Sequence, residues 1–288
     1  MPALFLGHGS PMNAIENNVY TAGFEQIAKE LPTPKAILCI SAHWETHGTF
    51  VTAMDHPKTI HDFGGFPLQL YRFEYPAPGN RELAEWVQKT IKSTHVGLSN
   101  DWGLDHGCWS VVKYLYPKAN VPIVELSIDY TKPAAYHDAL AKELAALRSQ
   151  GIMIIGSGNI VHNLRRINWD HMEDPGYGYD WAVAFNDKIK KMIVERDDQQ
   201  LLTISKNDES YHLAAPSPEY IRCQVGYRQT IIFQRLSYRR FNEHDVTAVS
   251  IMTAVTFLFL RLFVLRPYAI FFLLYDCRIC FQKKYRLI

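Results

Sequence analysis

The chain has almost no net charge, few cysteines and no long uninterrupted apolar run, and each shortage removes a class of function. Lysine and arginine number 30 against 29 aspartates and glutamates, a formal charge of +1 over 288 residues. No basic cluster precedes the C-terminal tail, so neither nucleic acid nor an anionic membrane surface is expected as a partner. A small neutral or zwitterionic substrate fits this balance better. Five cysteines, Cys39, Cys108, Cys223, Cys277 and Cys280, are an odd number scattered along the chain. That is not a secreted disulfide framework, and it points to a reducing cytoplasm. Cys277 and Cys280 form one CxxC without the second pair or spaced histidines of a zinc ribbon. A membrane helix needs about 20 apolar residues. The best window lies in the tail and is interrupted by Arg261, Arg266 and Pro267, so no clear span is expected, while an interfacial helix stays open. The opening PALFLG lacks the basic and long apolar regions of a signal peptide. GHGSP and GSGN lack the spacing of a GxSxG nucleophile elbow, and GSGN falls short of a dinucleotide fingerprint.

What is present is a set of short apolar runs, each ended by small residues and followed by a histidine. Ala3 to Leu6, Ala36 to Ile40 and Ile152 to Ile155 have the composition of buried parallel strands. They lead into GHGSPM around His8, SAHWET around His43 and GSGNIVHN ending near His162. Residues 18 to 31 carry Phe24, Ile27, Ala28 and Leu31 at helical spacing before Pro32 and Pro34, which makes a βαβ opening. Asn80 caps a helix predicted to run to Thr94, and another follows the DWGLDHGCW stretch with Val111, Val112 and Leu115. Val121 to Ile128 reads as one strand, and Pro133 begins a helix that Gly151 stops. The length suits one large domain and no internal repeat is evident. The expected fold is therefore α/β: a single domain with a mostly parallel central sheet flanked by helices. Its active site belongs at the carboxyl ends of the strands, where side chains distant in sequence converge. The stretch from about Thr59 to Gly79, with IHDFGGFP and YPAPG, is too irregular for a strand and too apolar for a solvated linker. It reads as a loop folded over the crevice.

Histidines at strand ends can be ordinary turn residues, but the recurrence at one topological position reads as a metal or catalytic cluster. A non-haem iron or zinc site wants two or three neutral imidazoles, often a carboxylate, and an open coordination position. His8 and His43 come directly off strand ends and are the best ligand candidates. Asp105, Asp62 and Glu45 are carboxylates near them in sequence, either ligands or partners that orient the imidazoles. His106, in a glycine-flanked loop, suits acid/base work. His61 either contacts substrate from the covering loop or is bonded to backbone, and Phe66 shares that loop.

Seven blocks in order, MPALFLGHGSPMN, SAHWET, IHDFGGFP, YPAPG, GLDHGCW, SIDYTKPAAYH and SGNIVHNL, closely resemble the bacterial 4,5-DOPA extradiol dioxygenase family. These are class III extradiol dioxygenases, typified by the catalytic subunit of protocatechuate 4,5-dioxygenase. The resemblance covers roughly residues 1 to 219. It implies an α/β fold, a single divalent metal and ring opening of a catechol such as L-DOPA by O2. Ferrous iron is the working ion it implies, with zinc an alternative occupant. By resemblance His8 and His43 bind the metal, His162 lies at or beside it, and His106 and His162 serve acid/base catalysis. The catalytic domain is placed at 1–257 and a non-family hydrophobic, basic tail at 258–288.

Within that domain, 220 to 240 departs from the family. Its proline–acidic–histidine motif, which supplies a further ligand, is here Pro218, Glu219 and Tyr220. FNEHDVTAVSIMTAVTF at 241 to 257 is again similar to the family. Departure, return and an unrelated tail read as a change of reading frame or splicing, or as divergence to a catalytically impaired metal-binding or interaction protein. His212, a few residues upstream, is a candidate substitute ligand, although the family's pattern gives it no such role. A zinc hydrolase in the same pocket, active without oxygen, is a further alternative.

Overall fold

A computed structural model of the protein describes residues 1–171 and 177–215. Tyr220, the departure at 220–240, Cys223, Cys277, Cys280, the end of the catalytic domain and the tail at 258–288 lie outside the described residues.

The chain alternates strands and helices as its periodicity predicts. In order they are β1 (Ala3–Leu6), α1 (Val19–Ala28), β2 (Ala36–Ser41), β3 (Glu45–Thr46), β4 (Thr49–Thr52), α2 (Leu68–Tyr71) and α3 (Arg81–Thr90). Then come β5 (Val96–Ser99), α4 (His106–Leu115), β6 (Ile123–Glu125), β7 (Ile128–Asp129), α5 (Ala134–Leu144), β8 (Ile152–Ser157), α6 (Asp180–Glu195), α7 (Asp198–Asn207) and α8 (Glu209–Ala214). The central sheet has the order β1-β8-β2-β6 and all its pairs are parallel. Two small parallel pairs, β3 with β7 and β4 with β5, extend the strand region.

Both faces of the central sheet are covered, which is why its strands are apolar throughout rather than alternating. Leu38 and Ile40 of β2 point into a core shared with Leu83 and Val87 of α3 and with Leu140 and Leu144 of α5. Their neighbours Ile37 and Cys39 point into the opposite core, with Phe24 of α1 and Trp109 and Val112 of α4. A third core gathers Phe185, Ile189, Leu201 and Tyr211 from α6, α7 and α8 around Val161, which follows β8.

Local chemistry sets the helix starts. Asn18 accepts from the N–H groups of Tyr20 and Thr21 at 3.0 Å each, and Thr21 reaches back to the Asn18 N–H, a reciprocal capping box for α1. Asn80 accepts from the Leu83 N–H at 2.8 Å and opens α3 as expected. That helix stops at Thr90, four residues short of the predicted end, because Ile91 turns extended and is buried in the core. The apolar run from Val121 divides into β6, which pairs with β2, and β7, which pairs with β3. The largest shift concerns α4. It starts at His106 itself, because Asp105 is its N-cap and accepts from the Cys108 N–H at 3.1 Å. Among the described residues no helix is long and apolar enough to cross a membrane.

One buried group of α5 makes stability depend on pH. The His137 Nε2–H donates to the Asp129 carbonyl at 3.2 Å, and the imidazole is held down to about 4 from 6.5, with burial the main cause. Between those two values the unfolded chain takes up a proton that the folded chain refuses. His137 therefore costs nothing above about pH 6.5, and its share of stability is lost as pH falls toward about 4, in total about 3 kcal/mol. Urea unfolding of wild type and His137→Gln at neutral and acid pH is expected to show a shallower acid loss in the variant. Equal losses would assign the acid sensitivity elsewhere.

Candidate metal centre

β1 and β2 are adjacent in the sheet only through β8, and their carboxyl ends deliver His8 and His43 to one place. His8 stands two residues beyond β1, directly before Gly9, which takes φ +65°, a conformation glycine adopts without strain. Its backbone is fixed from both sides. The Asn13 Nδ2–H donates to the His8 carbonyl at 2.9 Å, and the Gly9 N–H donates to Asn159 Oδ1 at 3.1 Å. His43 follows Ser41, the last residue of β2, whose Oγ accepts from the His43 N–H at 3.2 Å and donates to Asp105 Oδ1 at 2.6 Å. His106 enters from the first turn of α4, directly after that Asp105.

The three imidazoles converge. Ring centroids are 4.9 Å apart for His8 and His43, 3.9 Å for His43 and His106, and 5.3 Å for His8 and His106. One ligand atom from each lies within 4.8 Å of the others. His8 and His106 are buried, while the His43 side chain keeps 17 % of its exposure, so the cluster opens on the His43 side.

The hydrogen bonding of His8 argues that the cluster is built for a cation. Ser157 Oγ, at the end of β8, donates its single hydrogen to the Gly107 carbonyl. Toward His8 Nδ1, 2.9 Å away, it can then only accept. His8 therefore carries its hydrogen on Nδ1, and its Nε2 lone pair faces His43 Nε2 at 3.1 Å. Burial holds His8 well below its usual range, assisted by the neighbouring His43 and His106. The His8 Nε2 lone pair is thereby left free to face a partner across the gap, and a divalent metal ion fits the donor set of His8, His43 and His106.

His162 approaches this group without joining the three closest donors. Its backbone N–H donates to the Ala214 carbonyl at 2.8 Å, tying the segment after β8 to the end of α8. It is near enough to help lower the proton affinity of His8. Its own imidazole is pulled down to about 4, first by burial and then by His43 and His106. His212 is exposed on α8. Asp62 lies between two of the histidines, at 3.2 Å from His43 Nδ1 and 3.0 Å from His106 Nδ1. Asp105 is the helix cap described above, and its own N–H donates to Glu125 Oε1 at 3.0 Å. Burial raises the carboxyls of both Asp105 and Glu125. Glu45, in β3, contributes a negative charge that favours protonation of His43.

The loop from Thr59 to Gly79 does fold over the cluster. Phe63 meets the His106 ring edge-on at 5.7 Å, and Phe66 meets Phe63 the same way at 5.3 Å. The His61 Nε2–H donates to the Phe73 carbonyl at 2.9 Å, so this ring nitrogen ties two parts of the loop together. Phe66 is thus one ring removed from the histidines. Ser41, Ser157 and Gly107 escaped attention in the sequence. The small residues that end each apolar run were the available signal, but which hydroxyl meets which ring depends on strand order.

A parallel α/β sheet that gathers His8, His43 and His106 beyond its strand ends defines an enzyme scaffold with a histidine cluster that could hold a metal ion. The model of the family described as catalytic LigB subunit of aromatic ring-opening dioxygenase matches residues 2–226, and the chain belongs to this family of extradiol ring-cleaving dioxygenases. Among its relatives, a 4,5-DOPA dioxygenase extradiol of Escherichia coli K12 is 48% identical over 223 residues, 76% of this chain and 81% of the relative. The protein of the same name from Beta vulgaris is 35% identical over 222 residues, 75% of this chain and 81% of the relative. The crystal structure of an uncharacterised Escherichia coli K12 protein superposes with a TM-score of 0.62 at 40% identity, covering 78% of this chain and 87% of that one.

Proposed function

We propose that this protein opens the ring of a catechol such as L-DOPA by 4,5-extradiol cleavage with O2, using ferrous iron held by His8 and His43, with His162 or His106 completing the set. The observation that carries the reading is the apposition of the His8 and His43 Nε2 atoms at 3.1 Å, with the His8 hydrogen committed to Ser157. Ferrous iron, when bound, supplies a redox-active Lewis acid on which a catechol and oxygen can react; zinc can occupy the same donors without that redox chemistry. His162, held unprotonated at neutral pH by burial and the neighbouring His43 and His106, accepts a catechol hydroxyl proton on a ring nitrogen and returns it to an oxygen of the ring-opened product, which keeps both atoms of O2. Burial of His106 beneath Phe63 shields its ring from bulk water. Phe66 and His61 border the space that a flat aromatic ring would enter. We place the catalytic domain at 1–257, apart from the tail at 258–288, and the protein in the cytoplasm.

A second reading is a catalytically impaired metal-binding protein on the same scaffold. It is favoured by Tyr220 standing after Pro218 and Glu219, and by the family match ending at residue 226. Oxygen uptake by the ferrous-loaded full chain with L-DOPA, followed together with the absorbance of the ring-opened product, separates the two. Uptake matched to product is expected. Iron bound with no uptake would establish the impaired reading, and turnover of an ester or amide without oxygen would replace both with a hydrolase.

A further inference from the structure

We infer that Asp62 is a positioning residue whose single carboxylate fixes the tautomers of two histidines at once, turning the Nε2 lone pairs of His43 and His106 into the site. The inference rests on geometry that is independent of which aromatic substrate is cleaved, and on the reading of the cluster as a metal centre.

Asp62 sits in the covering loop with its two oxygens divided between two rings. Oδ2 is 3.2 Å from His43 Nδ1, and Oδ1 is 3.0 Å from His106 Nδ1. Oδ1 also accepts from the His106 backbone N–H at 3.0 Å, which pins the carboxylate to the first turn of α4. Neither ring contact has full hydrogen-bond geometry, and Asp62 Oδ2 and His106 Nδ1 have no other hydrogen-bond partner, so the contacts act through charge. The side chain retains only 9 % of its exposure, so water does not screen it. A lone pair on either Nδ1 would face an ionised oxygen across about 3 Å and be repelled, whereas an N–H there is attracted. Each ring therefore keeps its hydrogen on Nδ1, and each Nε2 is left as a lone-pair donor.

A neutral amide cannot reproduce this pattern, because it offers one accepting oxygen and one donating NH2. Only a carboxylate can accept from both rings. Asp62→Asn must present its NH2 to one Nδ1, which forces that histidine into the opposite tautomer with its hydrogen on Nε2, inside the site, where it cannot bind a cation.

The test is long-range proton–nitrogen NMR of the imidazoles in the full chain loaded with zinc, at mildly alkaline pH. In the wild type, both His43 and His106 are expected as the Nδ1–H tautomer. In Asp62→Asn one of the two is expected to change to Nε2–H, with zinc affinity, measured by competition with a chelating dye, falling by about 10- to 100-fold. A residue that merely supported the loop would leave the tautomers alone. Wild-type protein with either ring as Nε2–H would overturn the inference even if the variant fails to fold. So would a folded Asp62→Asn protein that keeps both Nδ1–H tautomers and wild-type zinc affinity. Failure of oxygen uptake with L-DOPA would overturn the substrate reading and leave these tautomers unaffected.

Discussion

Replacing His8 or His43 by alanine is expected to abolish divalent-metal binding and, with it, ring-opening turnover. Each substitution removes one of two nitrogens that face each other at 3.1 Å, and the remaining rings cannot close around an ion. Loss of a partner that only orients a ligand costs about 10- to 100-fold in metal affinity, so loss of the ligand itself should exceed about 100-fold. The effect is also readable without catalysis. An ion that binds only the folded chain raises its melting temperature in proportion to the logarithm of its concentration over Kd. Wild type should gain thermal stability on adding zinc, whereas His8→Ala and His43→Ala should not. Retained metal and turnover in either variant would defeat the ligand assignment.

The second large effect is expected at Gly107, in the first turn of α4. Glycine to alanine inside a helix normally stabilises by up to about 1 kcal/mol. Here a Cβ would stand 2.4 Å from Ser41 Oγ, 3.1 Å from His43 Cδ2 and 3.2 Å from Asp105 Oδ1. None of these can easily yield. Ser41 Oγ is held between Asp105 Oδ1 and the His43 N–H, and the Asp105 carboxylate caps the helix that starts with His106. Overpacking of this kind costs about 1–3 kcal/mol, so Gly107→Ala should be destabilised despite its better helix propensity. Zinc affinity should fall with it, because His43 must move. Urea unfolding and metal titration of one preparation check both; a variant with wild-type affinity and higher stability would show that the turn can shift without disturbing the histidines.

The comparison of sequence with structure turns on the range over which each feature is decided. β1, β2 and β8 were legible as apolar runs ended by small residues, because a strand buried on both faces needs such a run whatever its neighbours are. The starts of α1 and α3 were legible because Asn18 and Asn80 cap within three residues of themselves. The run from Val121 was misread as one strand, since nothing local reveals that its first half pairs with β2 and its second with β3. His106 looked like a loop residue because a cap aspartate and a loop aspartate are the same letter until the Cys108 N–H is seen to meet it.

The site divides along the same line. His8 and His43 could be named from the sequence because each is delivered by the end of its own strand, and the kind of chemistry follows from the residue types. The grouping of donors could not be named. That His106 stands nearest to His8 and His43, while His162 approaches from the end of α8, depends on the order β1-β8-β2 and on where α4 begins. The sequence placed Asp62 close to the histidines but left open whether it binds the ion or orients the rings. Its position between His43 and His106 is a property of the covering loop's path back over the strand ends. Amino-acid sequence alone thus determined a parallel α/β scaffold with imidazoles at its strand ends, because backbone hydrogen bonding and burial act over a few residues. Which of these nitrogens stand face to face was decided by tertiary structure, since those contacts join residues 35 and 149 positions apart.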